Sequence, residues 1–224
     1  MSDAEKIDSE ERVSRRSILR SATGTVSGGL LMYILFGMLG RGKNFLKPPG
    51  AAEDEVFNSL CIRCGKCAKS CPYDAVKIAD IDEGTAIGTP YIIAREIPCY
   101  LCEDFPCISS CPTNALDHTV ILREQVKMGT AIVTDRESCL SLNGIRCEVC
   151  YRVCPLIDKA ITLETYRNPR TGRHAIFEPV VHRDQCVGCG QCEYKCVLDR
   201  PAIKVLPTKV IAGKVGKHYI FGWK

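Results

Sequence analysis

Sixteen cysteines stand in this chain of 224 residues, and every one belongs to a group of four. Cys61, Cys64, Cys67 and Cys71 are spaced C-x2-C-x2-C-x3-C and followed by Pro72. Cys99, Cys102, Cys107 and Cys111 repeat the pattern with two extra residues before Cys107, and Pro112 follows. Cys139, Cys147, Cys150 and Cys154 carry a longer insertion after Cys139, and Pro155 follows; Cys186, Cys189, Cys192 and Cys196 return to the regular spacing. Thiolates are soft ligands that suit iron and sulfur. Three of them at two-residue intervals can wrap one cubane, while the fourth, turned away by the proline, ligates the other cluster of a pair. Sixteen thiolates at four per cluster predict four [4Fe–4S] clusters. No ligand position is left open, so the expected chemistry is electron transfer without an independent catalytic site.

Two other uses of cysteine compete with this reading. Disulfides suit an exported chain, but such tight clusters would waste the regular spacing. Structural zinc prefers two C-x2-C pairs set well apart. If zinc or a three-iron cluster occurs anywhere, the irregular third group is the place.

The elements that must position these ligands also repeat. Group starts at residues 61, 99, 139 and 186 mark one supersecondary unit used four times. β-prone runs precede three of the groups (Tyr91–Ile93, Ala131–Thr134, Pro179–Val181), and others follow the last cysteines (Ala75–Ile78, Ala160–Leu163, Ala202–Val205). A ligand loop and a short helix lie between. Gly65, Gly188 and Gly190 are expected where backbone approaches an inorganic core. The fold class that follows is α+β, a duplicated bacterial ferredoxin-like fold with units near 55–90, 91–125, 130–165 and 176–206 and an aromatic tail at 207–224.

Residues 1–50 differ in kind. Ser14-Arg15-Arg16-Ser17-Ile18-Leu19-Arg20 is followed by an uncharged stretch from Ser21 to Gly40, the order of a twin-arginine export signal. Such export carries proteins already folded around a cofactor, so the twin-arginine machinery is an expected partner and the periplasm the expected location. No A-x-A cleavage pattern follows, and the stretch is about long enough to span a bilayer; removal and retention as an inner-membrane anchor both stay open. Lys47-Pro48-Pro49-Gly50-Ala51-Ala52 reads as a linker. The body is expected over 51–224.

Little else in the chain invites chemistry. The formal net charge of +4 is slight, and no basic run is interleaved with aromatics, so nucleic acid is set aside. His118, His174, His182 and His218 form no ligand pattern. Tyr73, Tyr151 and Tyr194 adjoin ligand cysteines and are expected to pack over clusters. No nucleophile with its base and no phosphate-binding glycine loop appears.

Several segments together carry a family resemblance: the signal at 14–20, Cys61-Ile62-Arg63-Cys64-Gly65-Lys66-Cys67, Ile97-Pro98-Cys99-Tyr100-Leu101-Cys102-Glu103-Asp104-Phe105-Pro106-Cys107, Gly144-Ile145-Arg146-Cys147-Glu148-Val149-Cys150-Tyr151, and Tyr219-Ile220-Phe221-Gly222-Trp223. Over nearly its whole length the chain resembles the NapG/MauM family of ferredoxin-type proteins. On the NapG side the resemblance implies a periplasmic electron carrier serving as the iron–sulfur subunit of a quinol dehydrogenase. Its donor would be a polytopic, quinol-oxidising membrane partner of the NapH type, and electrons would pass towards a c-type cytochrome and periplasmic nitrate reductase. On the MauM side it implies a ferredoxin of methylamine utilisation. A cluster-containing structural or redox-sensing protein is the alternative from another class.

Similar four-cluster subunits pair their groups in a nested way, which here would join regular with regular and irregular with irregular. Nesting assigns Cys196 to Cys61, Cys64 and Cys67; Cys71 to Cys186, Cys189 and Cys192; Cys154 to Cys99, Cys102 and Cys107; and Cys111 to Cys139, Cys147 and Cys150. Sequential pairing, first group with second and third with fourth, is the alternative.

Overall fold

The computed structural model describes residues 45–80, 87–169 and 171–208, with positions 28, 29, 32 and 210. The twin-arginine segment, nearly all of the apolar stretch and the aromatic end of the chain lie outside the described residues. The chain divides into a first unit, Met1–Gly42, and a second, Lys43–Lys224. In the first, Gly28, Gly29 and Met32 are helical. Among the described residues no helix is long and apolar enough to cross a membrane.

The second unit is made of small helices and short strands. In chain order it contains α1 (Asp54–Leu60), α2 (Lys66–Lys69), β1 (Lys77–Ile78), β2 (Pro90–Tyr91), α3 (Pro106–Ser109), a 3-10 turn (Arg123–Gln125), β3 (Gly129–Val133), α4 (Val149–Arg152), β4 (Ile161–Arg167), β5 (Ala175–Val181), α5 (Gln191–Tyr194) and β6 (Ile203–Pro207). Helices α2 to α5 are single turns, each holding one cysteine of its group. One turn is far below the length that sustains a helix alone, so these four persist through their packing. They pair accordingly: α2 lies against α3, and α4 against α5.

Strand pairing gives the two halves a common plan. The strand after group one, β1, pairs antiparallel with β2, which precedes group two. In the second half β4, after group three, pairs antiparallel with β5, before group four, from Ile161↔Val181 to Arg167↔Ala175. The outer partners close each half. β3 pairs with β6, from Gly129↔Pro207 to Val133↔Ile203, and the corresponding pair in the first half shrinks to the bridge Ala51↔Leu116. Bonds from the Ala52 amide to the Ala115 carbonyl (3.2 Å) and from the Asp117 amide to the Gly50 carbonyl (2.7 Å) reinforce it. Each half is thus a closed, two-group body, and each strand expected from sequence has a counterpart, with ends moved by up to four residues.

The segment read as a linker belongs to the body. Leu46 is buried and bridges to Ile92, and Pro48 and Pro49 are fully buried. Lys47 reaches Asp54 at 2.6 Å and lies over the Phe57 ring, 4.1 Å from its centroid. Prolines here serve as apolar filler with no amide to satisfy, while Gly50 supplies the left-handed turn at φ 75°. A contiguous apolar core runs through both halves, including Phe57, Leu101 and Val126 as well as Leu156, Val187 and Ile203.

Candidate metal centres

The sixteen cysteines come together as four sets of four. Cys61, Cys64 and Cys67 face Cys111 across a space of about 350 Å³ (set I). Cys99, Cys102 and Cys107 share a space of about 340 Å³ with Cys71 (set II). Cys186, Cys189 and Cys192 meet Cys154 around about 400 Å³ (set III), with Cys150 at its margin. Cys139, Cys147 and Cys150 enclose about 420 Å³ with Cys196 (set IV). All sixteen are free thiols.

Sequential pairing is therefore what the fold produces, and the nested assignment is wrong. The cause is the antiparallel closure of each half. Pairing of β1 with β2, together with the Ala51–Leu116 bridge, lays groups one and two head to tail, so Cys111 returns to group one and Cys71 to group two. The β3–β6 and β4–β5 pairs do the same for groups three and four. Regularity of spacing had suggested otherwise because it reports local loop length, whereas partnership is decided by strands.

The insertions are absorbed locally. In group two the extra residues place Phe105, 3% exposed, in the core beside set II. In group three, residues 140–146 fold into a closed turn. The Ile145 amide donates to the Leu140 carbonyl at 3.0 Å, Asn143 Nδ2 donates to the Cys139 carbonyl at 3.0 Å, and buried Ser141 donates from its hydroxyl to the Phe177 carbonyl on β5. That turn brings Cys139 back to its group, so the irregular spacing costs set IV no ligand.

Backbone conformation fits sets I, II and III to an anionic cluster. Arg63, Leu101 and Gly188, each just before the second cysteine of its group, have φ of 55°, 51° and 73°. Gly65, Phe105 and Gly190, each leading into its helix, have φ of 71°, 40° and 87°. Left-handed residues in a tight loop turn successive amides inward, making a concavity that favours negative charge. The Ala131 amide bonds the Cys186 sulfur at 3.4 Å, and backbone amides at Leu101 and Gln191 act on the sulfurs of Cys99 and Cys189. Arg63 and Leu101 escape a search for glycine; alignment of the repeats on Gly188 is the signal that finds them.

Burial works against free thiolates in these sets. It pushes the Cys67 thiol up to about 11 and those of Cys107, Cys150 and Cys189 up to about 12, and neighbouring sulfurs add to the effect. Cys192 and Cys99 are raised for the same reasons, burial first. Sulfurs so placed ionise together only against a compensating cation. Among the described residues no three Cys, His, Asp or Glu side chains converge on a point as a single metal ion requires. Four thiols around a space, with amides at some of the sulfurs, fit a multi-atom iron–sulfur cluster.

Glycines 188 and 190 line set III, as expected, and also serve a second purpose. A Cβ on Gly188 would lie 2.4 Å from the Gly129 amide nitrogen, and one on Gly190 would lie 2.5 Å from the Ala94 Cβ. They permit close approach of other chain segments beside set III, whose space both of them line. Gly65, which lines set I, meets no other chain atom within 4 Å of where its Cβ would be. Of the tyrosines, Tyr73 does line set II, tilted against Tyr100 with centroids 4.3 Å apart. Tyr151 donates its hydroxyl to Asp158 at 2.6 Å, and Tyr194 carries the Lys195 ammonium 4.9 Å from its ring centroid. His182 pairs with Thr162 at 2.9 Å, and His118 borders a separate surface hollow. Arg95 attracted no attention as sequence, yet its guanidinium donates to the carbonyls of Glu193 (2.9 Å), Cys196 (3.0 Å) and Leu198 (2.7 Å).

Comparison with known proteins agrees with this geometry. Residues 60–115 and 144–199 each match the 4Fe-4S dicluster domain, and these bounds enclose sets I and II and, apart from Cys139, sets III and IV. The ferredoxin-type protein NapG of Escherichia coli K12 is 47% identical over 223 residues, covering 100% of this chain and 96% of the relative. NapG of Haemophilus influenzae is 48% identical over 216 residues, covering 94% and 77%. The methylamine utilization ferredoxin-type protein MauM of Methylorubrum extorquens is 45% identical over 173 residues, covering 77% of each chain. No solved structure matches. With two dicluster domains and this likeness over its full length, the chain belongs to the NapG family of ferredoxin-type iron–sulfur proteins.

Proposed function

We propose that the chain holds four [4Fe–4S] clusters, one in each cysteine set, and works in the periplasm as an electron carrier between a NapH-like quinol-oxidising membrane protein and a c-type cytochrome serving periplasmic nitrate reductase. The observation that carries the reading is the partition of sixteen thiols into four sets of four, each around its own space. The NapG-type relatives, similar over the full chain, supply the metabolic setting. When bound, each cluster supplies one-electron oxidation and reduction within a range of potential set by its surroundings.

The chain's own part is to bind, position and tune. Cysteine thiolates hold the metal, and the left-handed loops aim amides at the sulfurs, which stabilises negative charge there. Burial at Cys99, Cys107, Cys186 and Cys189 keeps water from sets II and III, and buried Phe105 lines the space of set II.

The reading is tested with the anaerobically purified full chain and membranes containing a NapH-like protein with a quinol. Quinol-dependent reduction, followed by reoxidation on adding a periplasmic c-type cytochrome, is expected. Full iron loading with no reduction by any quinol-oxidising membrane would favour a structural or sensing role. Reduction only by methylamine-oxidising membranes would favour the MauM role.

A further inference from the structure

Beside the shared core, the two halves touch along a seam built from residues 94–99 and 188–198. The Cys99 amide donates to the Cys189 carbonyl at 2.9 Å, and Gln191 Nε2 donates back to the Cys99 carbonyl at 3.2 Å. Gly190 lies so close to Ala94 that a Cβ would stand 2.5 Å from the Ala94 methyl carbon. Arg95 spans the same line to the carbonyls of Glu193, Cys196 and Leu198. Cys99 is a member of set II and Cys189 of set III.

Order within each half follows from the helix pairs. α2 carries Cys67 of set I and packs on α3, which carries Cys107 of set II. α4 carries Cys150 of set IV and packs on α5, which carries Cys192 of set III. Sets I and II are therefore neighbours, as are sets III and IV. Cys99 and Cys189 are the ligand cysteines of different halves joined by a direct backbone bond.

We propose that this seam is the electronic junction of the molecule: the sets follow one another in the order I, II, III, IV, and electrons cross between the halves through the Cys99–Cys189 peptide contact. The proposal rests on the four-cluster reading above. One electron crosses at a time, one side of the seam is oxidised by one as the other is reduced by one, and no bond or proton moves. Gly190 and Ala94 are positioning residues: their lack of bulk lets the two peptides meet. Arg95 is a third, holding the loop that carries Cys196 against the first half.

The test uses the anaerobic full chain, reduced stepwise with dithionite and followed by low-temperature electron paramagnetic resonance, with Cys102→Ser and Cys192→Ser variants to assign the signals of sets II and III. Spin coupling is expected within each half and also between sets II and III. Ala94→Leu, which wedges the seam at Gly190 while leaving all sixteen cysteines in place, should keep its iron and the couplings within each half while the II–III coupling falls several-fold. Arg95→Gln should weaken the same coupling less. A fully loaded wild-type chain without II–III coupling, or a loaded Ala94→Leu chain with that coupling unchanged, would overturn the proposal; if Ala94→Leu does not load, the wild-type spectrum decides. About eight irons per chain would instead remove the four-cluster reading itself.

Discussion

At the scale of single residues, exposure ranks the four sets by vulnerability. Cys64 of set I is the one cysteine classed as exposed, whereas Cys99, Cys107, Cys186 and Cys189 of sets II and III are buried. Mild chelation or air should therefore open set I first. Mass spectrometric mapping after thiol alkylation is expected to label Cys61, Cys64, Cys67 and Cys111 ahead of the others; simultaneous labelling of all sixteen would contradict this. The raised thiol values give a second prediction. At neutral pH the thiols of Cys67, Cys107, Cys150 and Cys189 in the metal-free fold keep their protons, since burial places them at about 11 to 12 against 9.0 for a free thiol. Iron and sulfide must displace those protons, so loading in weak buffer should acidify the solution and apparent affinity should rise with pH until those values are passed. Pure pH independence would mean that the sulfurs are already ionised. The cysteines themselves were fully legible in sequence, because spacing records which side chains share a loop. The left-handed Arg63 and Leu101 and the Arg95 clamp were not, because each depends on backbone torsion or on carbonyls about 100 residues away.

At the scale of elements, short antiparallel pairs decide which cysteines act together. Sequential partnership predicts that Cys111→Ser perturbs the same spectroscopic centre as Cys64→Ser, and Cys154→Ser the same one as Cys189→Ser; nested partnership would place the members of each pair on different centres. Glycine substitutions separate backbone strain from crowding. Gly65→Ala meets no other chain segment and should cost about 1 kcal/mol in the metal-free chain, the left-handed penalty alone. Gly188→Ala adds a collision with the Gly129 backbone and should cost about 3 kcal/mol or more, read as lower thermal stability with loss of iron from set III. The strand runs were visible from β-branched residues and the turns around them. Their partners were not, since pairing of β3 with β6 depends on a closure that no local pattern encodes. The buried Pro48–Pro49 segment misled for a related reason: prolines mark an end of helix in sequence, but their burial follows from a tertiary contact with the first half.

At the scale of the whole molecule, two dicluster halves joined at one seam make a chain-long relay whose charge changes on loading. The formal side-chain charge is +4, and each oxidised cluster with its four thiolates brings roughly −2, so the loaded chain should focus at clearly lower pH than the metal-free one on anaerobic native gels. An unshifted position would mean that the sets are empty or hold neutral thiols. Duplication was legible from the repeat period, and the family from residues spread along the chain. The order of the halves along the relay was not, because it rests on the Cys99–Cys189 contact between segments 90 positions apart. The central claim, that every set holds a cubane, is met most directly by anaerobic native mass spectrometry of the intact chain with iron, sulfide and zinc counted. The account predicts about sixteen irons and about sixteen sulfides with no zinc. About eight irons, or zinc held at set IV, would contradict it.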